Sequence, residues 1–354
     1  MTKGYKSHRG PSRGRFFKAL IAILLVCLVL TAALLLLLQK YIVYNADGSV
    51  TIDLPFFSAE RSSPQPSPAG SFVVTTDAPS PSPSPSRAPT SPEGETVLRA
   101  AATGTADPEE ARAAMEALGG SAAVLTLKGI DGVLGYTSAL ELAQGAGISA
   151  PEGRNEVISA LAEETETVAW VSCFRDHTMQ KYRTALSMYT GSYRWLDRDS
   201  VGWINPYKQE ARDYVRDVVK EIAALGVSEV VLDYSGFPTF GKYQILTYGA
   251  DADTPFSDVI DAFFASVSDA LEGTGVRLSA VTDLETLENG ENDASGQRAE
   301  TLLTCCDRLY VRSDDRAALE AAYAGAGGED PDERLVSVLS EAPGDVSYSY
   351  VIEK

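Results

Sequence analysis

The amino-acid sequence predicts an α/β protein: a (β/α) TIM-type barrel, preceded by one transmembrane helix and a disordered linker. Three observations carry this. A 20-residue apolar run lies near the N-terminus, a Pro/Ser-rich stretch follows, and beyond residue 95 apolar strands alternate with amphipathic helices. Such alternation is the pattern of a parallel sheet with helical crossovers.

The first 18 residues carry Lys3, Lys6, Arg9, Arg13, Arg15 and Lys18 and no acid. Residues 19–38 are apolar apart from Thr31. As a helix they would be about 30 Å long, the thickness of a bilayer's hydrocarbon core. The basic flank is expected to stay cytoplasmic and the rest to be exported, a single-pass arrangement at the cell membrane. A cleaved signal peptide would have a shorter apolar core and a small-residue cleavage site, and neither is present. Residues 39–57 form a juxtamembrane segment with some strand character. Residues 58–94, with Pro79-Ser80-Pro81-Ser82-Pro83-Ser84-Pro85, favour extended chain and read as a spacer. Residues 95–354 are one domain's worth of chain.

All 49 acidic residues lie beyond residue 40, which leaves the exported part with 23 basic residues and a net charge of −26. That surface disfavours nucleic acid as a partner. The lipid bilayer is expected to be met only through residues 19–38. With only His8 and His177 in the chain, neither a His-rich metal site nor a Ser-His-Asp triad is expected, and no cofactor is implied. No Gly-x-Gly-x-x-Gly follows the first strand, against a dinucleotide fold.

Within the domain, strands are predicted at 122–127, 167–174, 227–233 and 276–281, with weaker ones at 308–311 and 334–339. A seventh at 346–351 would leave the barrel short of its full eight. Helices are expected at 155–164 and 257–271. The clearest helix is expected to start at Asn205-Pro206 as N-cap and N1, with Ala211, Tyr214, Val215, Val218 and Ile222 on its apolar face and Gly226 as its stop.

Functional groups in such barrels sit at the C-terminal ends of strands. Those ends supply Lys128 and Asp131, then Arg175 and Asp176, then Asp233 and Tyr234, then Asp283 and Glu285. An acidic rim suits glycoside hydrolysis, which uses one carboxyl group as acid and another as nucleophile or base. Trp203 and Tyr207 offer flat faces on which sugars could stack. In so acidic a chain most loop carboxylates are simply solvated. Asp233 stands out because it directly ends the apolar run Glu229-Val230-Val231-Leu232.

The chain also resembles the glycoside-hydrolase-like domain family of bacterial envelope proteins, a TIM barrel distantly similar to the alpha-amylase superfamily. The resemblance runs through Lys128-Gly129-Ile130-Asp131-Gly132, Phe174-Arg175-Asp176, Trp203-Ile204-Asn205-Pro206-Tyr207, Leu232-Asp233-Tyr234-Ser235-Gly236-Phe237-Pro238 and Ser295-Gly296-Gln297. It implies that Asp233 occupies the place of the acid on the fourth strand, where relatives carry a nucleophile. Asp283 or Glu285 would then be the acid, and Lys128, Asp131, Arg175, Asp176, Trp203, Tyr207 and Tyr234 would contact an oligosaccharide or polysaccharide. The sequence departs from the pattern at Gly236 and Trp170, where the family has arginines. The first departure predicts an acid without its orienting partner. Two readings therefore stand: a glycoside-hydrolase-like barrel that acts on or binds envelope or extracellular polysaccharide, and a catalytically inactive carbohydrate-binding or envelope-scaffold protein on the same fold.

Overall fold

The computed structural model describes residues 42–44, 50–52, 98–102, 104–248, 254–344 and 346–353. The chain divides into two units, residues 1–80 and 81–354. In the first, Ile42–Tyr44 and Val50–Ile52 pair as an antiparallel ladder. The expected membrane helix at 19–38 and the linker at 58–94 lie outside the described residues. Among the described residues, no helix is long and apolar enough to cross a membrane.

The second unit is a closed barrel of eight parallel strands: β1 (Arg99–Ala102), β2 (Ala122–Lys128), β3 (Glu166–Ser172), β4 (Glu229–Asp233), β5 (Arg277–Thr282), β6 (Arg308–Arg312), β7 (Leu335–Leu339) and β8 (Tyr350–Glu353). The expectation of a barrel short of its eight strands is thereby corrected. The first strand is Arg-Ala-Ala-Ala, which carries no β-branched residue and no alternation by which it could be recognised. The strand at 122–127 is therefore the second strand of the barrel. The chain after residue 312 suffices to close it because β7 and β8 are joined by a loop with no crossover helix.

Period-two alternation sorts every strand into two faces. Inward residues such as Val124, Val168, Trp170, Val231, Val281, Tyr310, Val336 and Val351 fill the barrel as one cluster. Outward residues such as Leu125, Val171, Leu232, Ala280 and Val311 pack beneath the helices in a second, larger one. The crossover helices include α1 (Pro108–Leu118), α2 (Arg154–Glu164), α3 (Gln209–Ala223) and α4 (Phe256–Leu271). On α3 the buried face is Ala211, Tyr214, Val215, Val218, Val219 and Ile222, at helical spacing. This helix starts at Gln209, not at Asn205-Pro206. The Asn205 side chain instead accepts the Tyr207 N–H at 3.0 Å and its carbonyl accepts the Lys208 N–H at 2.9 Å, closing a turn before the helix.

The lower end of the barrel holds a fully buried charge cluster. Glu229, at the start of β4, pairs with Arg308 at 2.7 Å and with Arg277 at 3.4 Å, and accepts Ser279 and Tyr310 hydroxyls at 2.6 and 2.9 Å. Two guanidinium groups and two hydroxyls together satisfy a carboxylate that burial alone would make costly.

Candidate functional site

Asp233 closes β4 at the mouth and is 3% exposed. Its Oδ1 accepts the Tyr234 backbone N–H at 2.8 Å, and its Oδ2 accepts the Trp170 indole N–H at 3.1 Å. Arg312, the last residue of β6, grips both oxygens, at 3.3 Å to Oδ1 and 2.8 Å to Oδ2. The same guanidinium holds both oxygens of Glu353, the last residue of β8, at 2.8 and 2.9 Å. Burial works against the Arg312 charge, but the hydrogen bonds it donates to Glu353, together with the charge of Asp233 and the hydrogen bonds donated to it, outweigh burial and raise its pKa.

The expectation of an acid lacking its arginine is therefore corrected. Gly236 supplies none, but Arg312 reaches the same carboxylate from another strand. Trp170, standing where the family has its other arginine, donates to it as well. Neither Arg312 nor Glu353 was singled out in the sequence; the signal available was that each ends a strand with its side chain on the inward face.

A cleft of about 320 Å³ opens above Asp233, bounded by Arg175, Arg198, Tyr234, Phe240, Asp283, Gln297 and Arg312. Tyr234 sits in the left-handed region at φ 48°, an uncommon conformation for a side chain of this size. That turn lays its ring beneath two guanidinium groups, with Arg175 at 5.0 Å and Arg312 at 5.8 Å from the centroid. Burial, and secondarily the charge of Asp233, raises the pKa of its hydroxyl, so it stays protonated. Arg175 is almost wholly buried. It binds Asp197 and Asp199 at 2.8 Å each and donates to the Tyr234 hydroxyl at 3.1 Å.

Asp283 borders the cleft and caps the helix Leu284–Asn289. It accepts the Thr286 N–H and hydroxyl at 2.8 and 2.6 Å and the Asn292 amide at 3.0 Å. Glu285 is exposed on the first turn of that helix and does not border the cleft. Gln297 braces the wall through Ser235, the Val281 carbonyl and Thr282.

The remaining predicted contacts are placed differently. Lys128 and Asp176 form an ion pair at 2.8 Å with neither side chain exposed, and Lys128 also donates to the Ser172 and Cys173 carbonyls. The pair ties the ends of β2 and β3 together beneath the surface. Trp203 does line the cleft above Asp233, but it is 2% exposed, its indole N–H held by Asp197 at 3.0 Å, and it meets Tyr234 and Phe240 edge-on. Tyr207 lies in an aromatic cluster with Phe237, Tyr248 and Phe256, its hydroxyl donating to the Thr254 carbonyl at 2.6 Å. Both rings are occupied by packing, so neither offers a free face for stacking. Asp131 is exposed and borders a different cavity of about 700 Å³, between the loops after β1 and β2. That cavity is larger than the cleft at Asp233, but its lining is mostly small and apolar, without a convergent set of charged groups. His177 accepts the Gly202 N–H on Nδ1 and does not act with Asp176, which is committed to Lys128.

A closed eight-stranded parallel barrel with a carboxylate ending its fourth strand defines a (β/α)8 protein with its site at the strand C-termini. A family described as "Putative glycosyl hydrolase domain" matches residues 104–310, and the chain belongs to that family. No curated protein sequence matches the chain. Among solved structures, a hypothetical protein from Ruminiclostridium thermocellum is 21% identical with a TM-score of 0.43, over 49% of this chain and 89% of that one. The PgaB (BpsB) glycoside hydrolase domain from Bordetella bronchiseptica is 11% identical with a TM-score of 0.44, over 66% and 83% of the two chains. The GH20 exo-β-N-acetylglucosaminidase from Vibrio harveyi is 16% identical with a TM-score of 0.46, over 66% of this chain and 39% of that one.

Proposed function

We propose that this chain is a membrane-anchored, exported barrel that binds envelope or extracellular polysaccharide in the cleft above Asp233 and does not cleave it. Residues 19–38 are the anchor in this reading, and the Pro/Ser-rich stretch holds the barrel away from the bilayer. One observation carries the binding assignment. Every carboxylate bordering the cleft receives hydrogen bonds from fixed donors: Asp233 from Arg312, Asp199 from Arg175, and Asp283 from Thr286 and Asn292. Glycoside hydrolysis needs one carboxyl group that carries a proton to the leaving oxygen. Each of these carboxyl groups is instead held by fixed donors of the chain itself, which leaves none free to be that acid.

A second reading, an active hydrolase with Asp233 as nucleophile and Asp283 as acid, draws support from the position of Asp233. A carboxylate oriented by an arginine at the end of the fourth strand is what a glycosyl nucleophile requires. The two readings separate on one experiment. The full-length chain in detergent micelles, wild type and Asp233→Asn, is assayed with a panel of soluble envelope polysaccharides for retention and for release of reducing ends. Retention by the wild type with altered affinity in Asp233→Asn, and no reducing ends from either, is the expected result. Release of reducing ends that disappears in Asp233→Asn would establish the hydrolase.

A further inference from the structure

We infer that the barrel mouth holds two sugar subsites, one on each side of Arg312, and that the ligand is a neutral glycan of at least two rings lying across that residue. The inference rests on the carbohydrate-binding reading and extends it to ligand length and charge.

Arg312 borders two cavities at once. One is the cleft of about 320 Å³ above Asp233; the other, of about 300 Å³, lies over the ends of β6, β7 and β8. Each is at the lower limit of an ordinary small-molecule site. The second cavity has Ser313, Asp314, Ser340 and Glu353 around an apolar floor of Val338 and Leu339. Two hydroxyls and two carboxylates beside aliphatic side chains match a sugar ring, which has polar edges and a C–H face.

The wall between the cavities is fixed. Arg312 has five N–H bonds, and its contacts with Asp233 and Glu353 engage four of them. β4 and β8 lie on opposite sides of the eight-strand ring, four places apart in either direction. The Asp233–Arg312–Glu353 bridge therefore crosses the mouth. Moving the guanidinium aside would leave two carboxylates unpaired, which makes it a ridge and not a gate. A ligand filling both cavities must pass over the ridge, and the bond between two sugar rings is the thinnest part of a glycan. Three arginines (Arg175, Arg198 and Arg312) and five carboxylates (Asp199, Asp233, Asp283, Asp314 and Glu353) border the two cavities, a net charge of −2. A polyanionic glycan is repelled by that arrangement.

The test uses the full-length chain in detergent micelles and β-1,4-linked N-acetylglucosamine oligomers of one to six rings, with oligogalacturonates as the charged control. Calorimetric affinity is expected to rise about tenfold or more from one ring to three or four and then level, as the second subsite is engaged through a short tether. Ser340→Trp, at an exposed position in the second cavity, removes that rise. Thr239→Trp, at the rim of the first cavity, weakens every length. A length dependence that survives Ser340→Trp, or no length dependence, overturns the second subsite while carbohydrate binding stands. Tighter binding of oligogalacturonates overturns the neutral ligand. Failure of every oligomer to bind overturns this inference together with the reading beneath it.

Discussion

Arg312 meets Asp233 at the top of the barrel as Arg308 meets Glu229 at the bottom: the same two strands, four residues further along each. Glu229, Val231 and Asp233 share the inward face of β4, and Arg308, Tyr310 and Arg312 that of β6. The lower pair is sealed at 2.7 Å with at most 3% of either side chain exposed. The upper pair is 2.8 Å apart with 39% of the arginine side chain in solvent. One arrangement thus serves as a buried tie at one end and as the floor of a cleft at the other.

The two pairs are expected to respond unequally to loss of their arginine. Arg308→Met strands a fully buried carboxylate and should cost about 3–5 kcal/mol. Arg312→Met leaves Asp233 close to water and should cost about 1–2 kcal/mol, because solvent screens what remains. Urea denaturation of the two variants measures the difference. Equal losses would show that the upper pair is as sealed as the lower.

Acid should weaken the fold through Glu229. Burial pushes its carboxyl up, but the charges of Arg308 and Arg277 and the hydrogen bonds from Ser279 and Tyr310 outweigh burial and hold it below the ordinary glutamate range. A depressed carboxyl contributes stability that is complete above the unfolded-state value and is lost as pH falls through the folded one. Urea midpoints should therefore decline from about pH 5 downward. Glu229→Gln should be less stable at neutral pH and show a shallower decline. An equally steep decline in the variant would assign the acid sensitivity to other carboxylates.

The Lys128–Asp176 pair offers a test of positioning. Lys128→Met should destabilise by about 3–5 kcal/mol, since Asp176 would be left buried without its partner. Replacing both, as Lys128→Met with Asp176→Asn, should recover part of that loss. A double variant no better than the single one would mean that the carbonyl contacts of Lys128 matter more than its charge partner.

A short continuous apolar run made β4 readable in the sequence, and helical spacing of apolar residues made α3 readable. β1 was not readable, since three alanines serve as well in a helix as in a crowded barrel wall. The site was legible at Asp233, which interrupts an apolar strand, and illegible at Arg312. That arginine precedes Ser313-Asp314-Asp315 and reads as solvated charge; its partner lies 79 residues away and on a strand that is not its neighbour. Trp203 and Tyr207 could serve by sequence as packing residues or as sugar platforms, and it is long-range packing against Phe240 and Phe256 that buries them.

Topology at the membrane is open to direct measurement. If residues 19–38 form the anchor, protease added to intact cells should remove the domain beyond residue 58 and leave a membrane-bound N-terminal stub. A mature protein beginning near residue 40 and free of the membrane would contradict the anchor.

Position 236 is closed to any side chain. A Cβ placed there would come within 2.6 Å of the Ser295 carbonyl oxygen, a backbone atom that cannot swing aside. Orienting Asp233 by a side chain at 236 would therefore require the 295 segment to be rebuilt, whereas Arg312 reaches the carboxylate from β6 without displacing that segment.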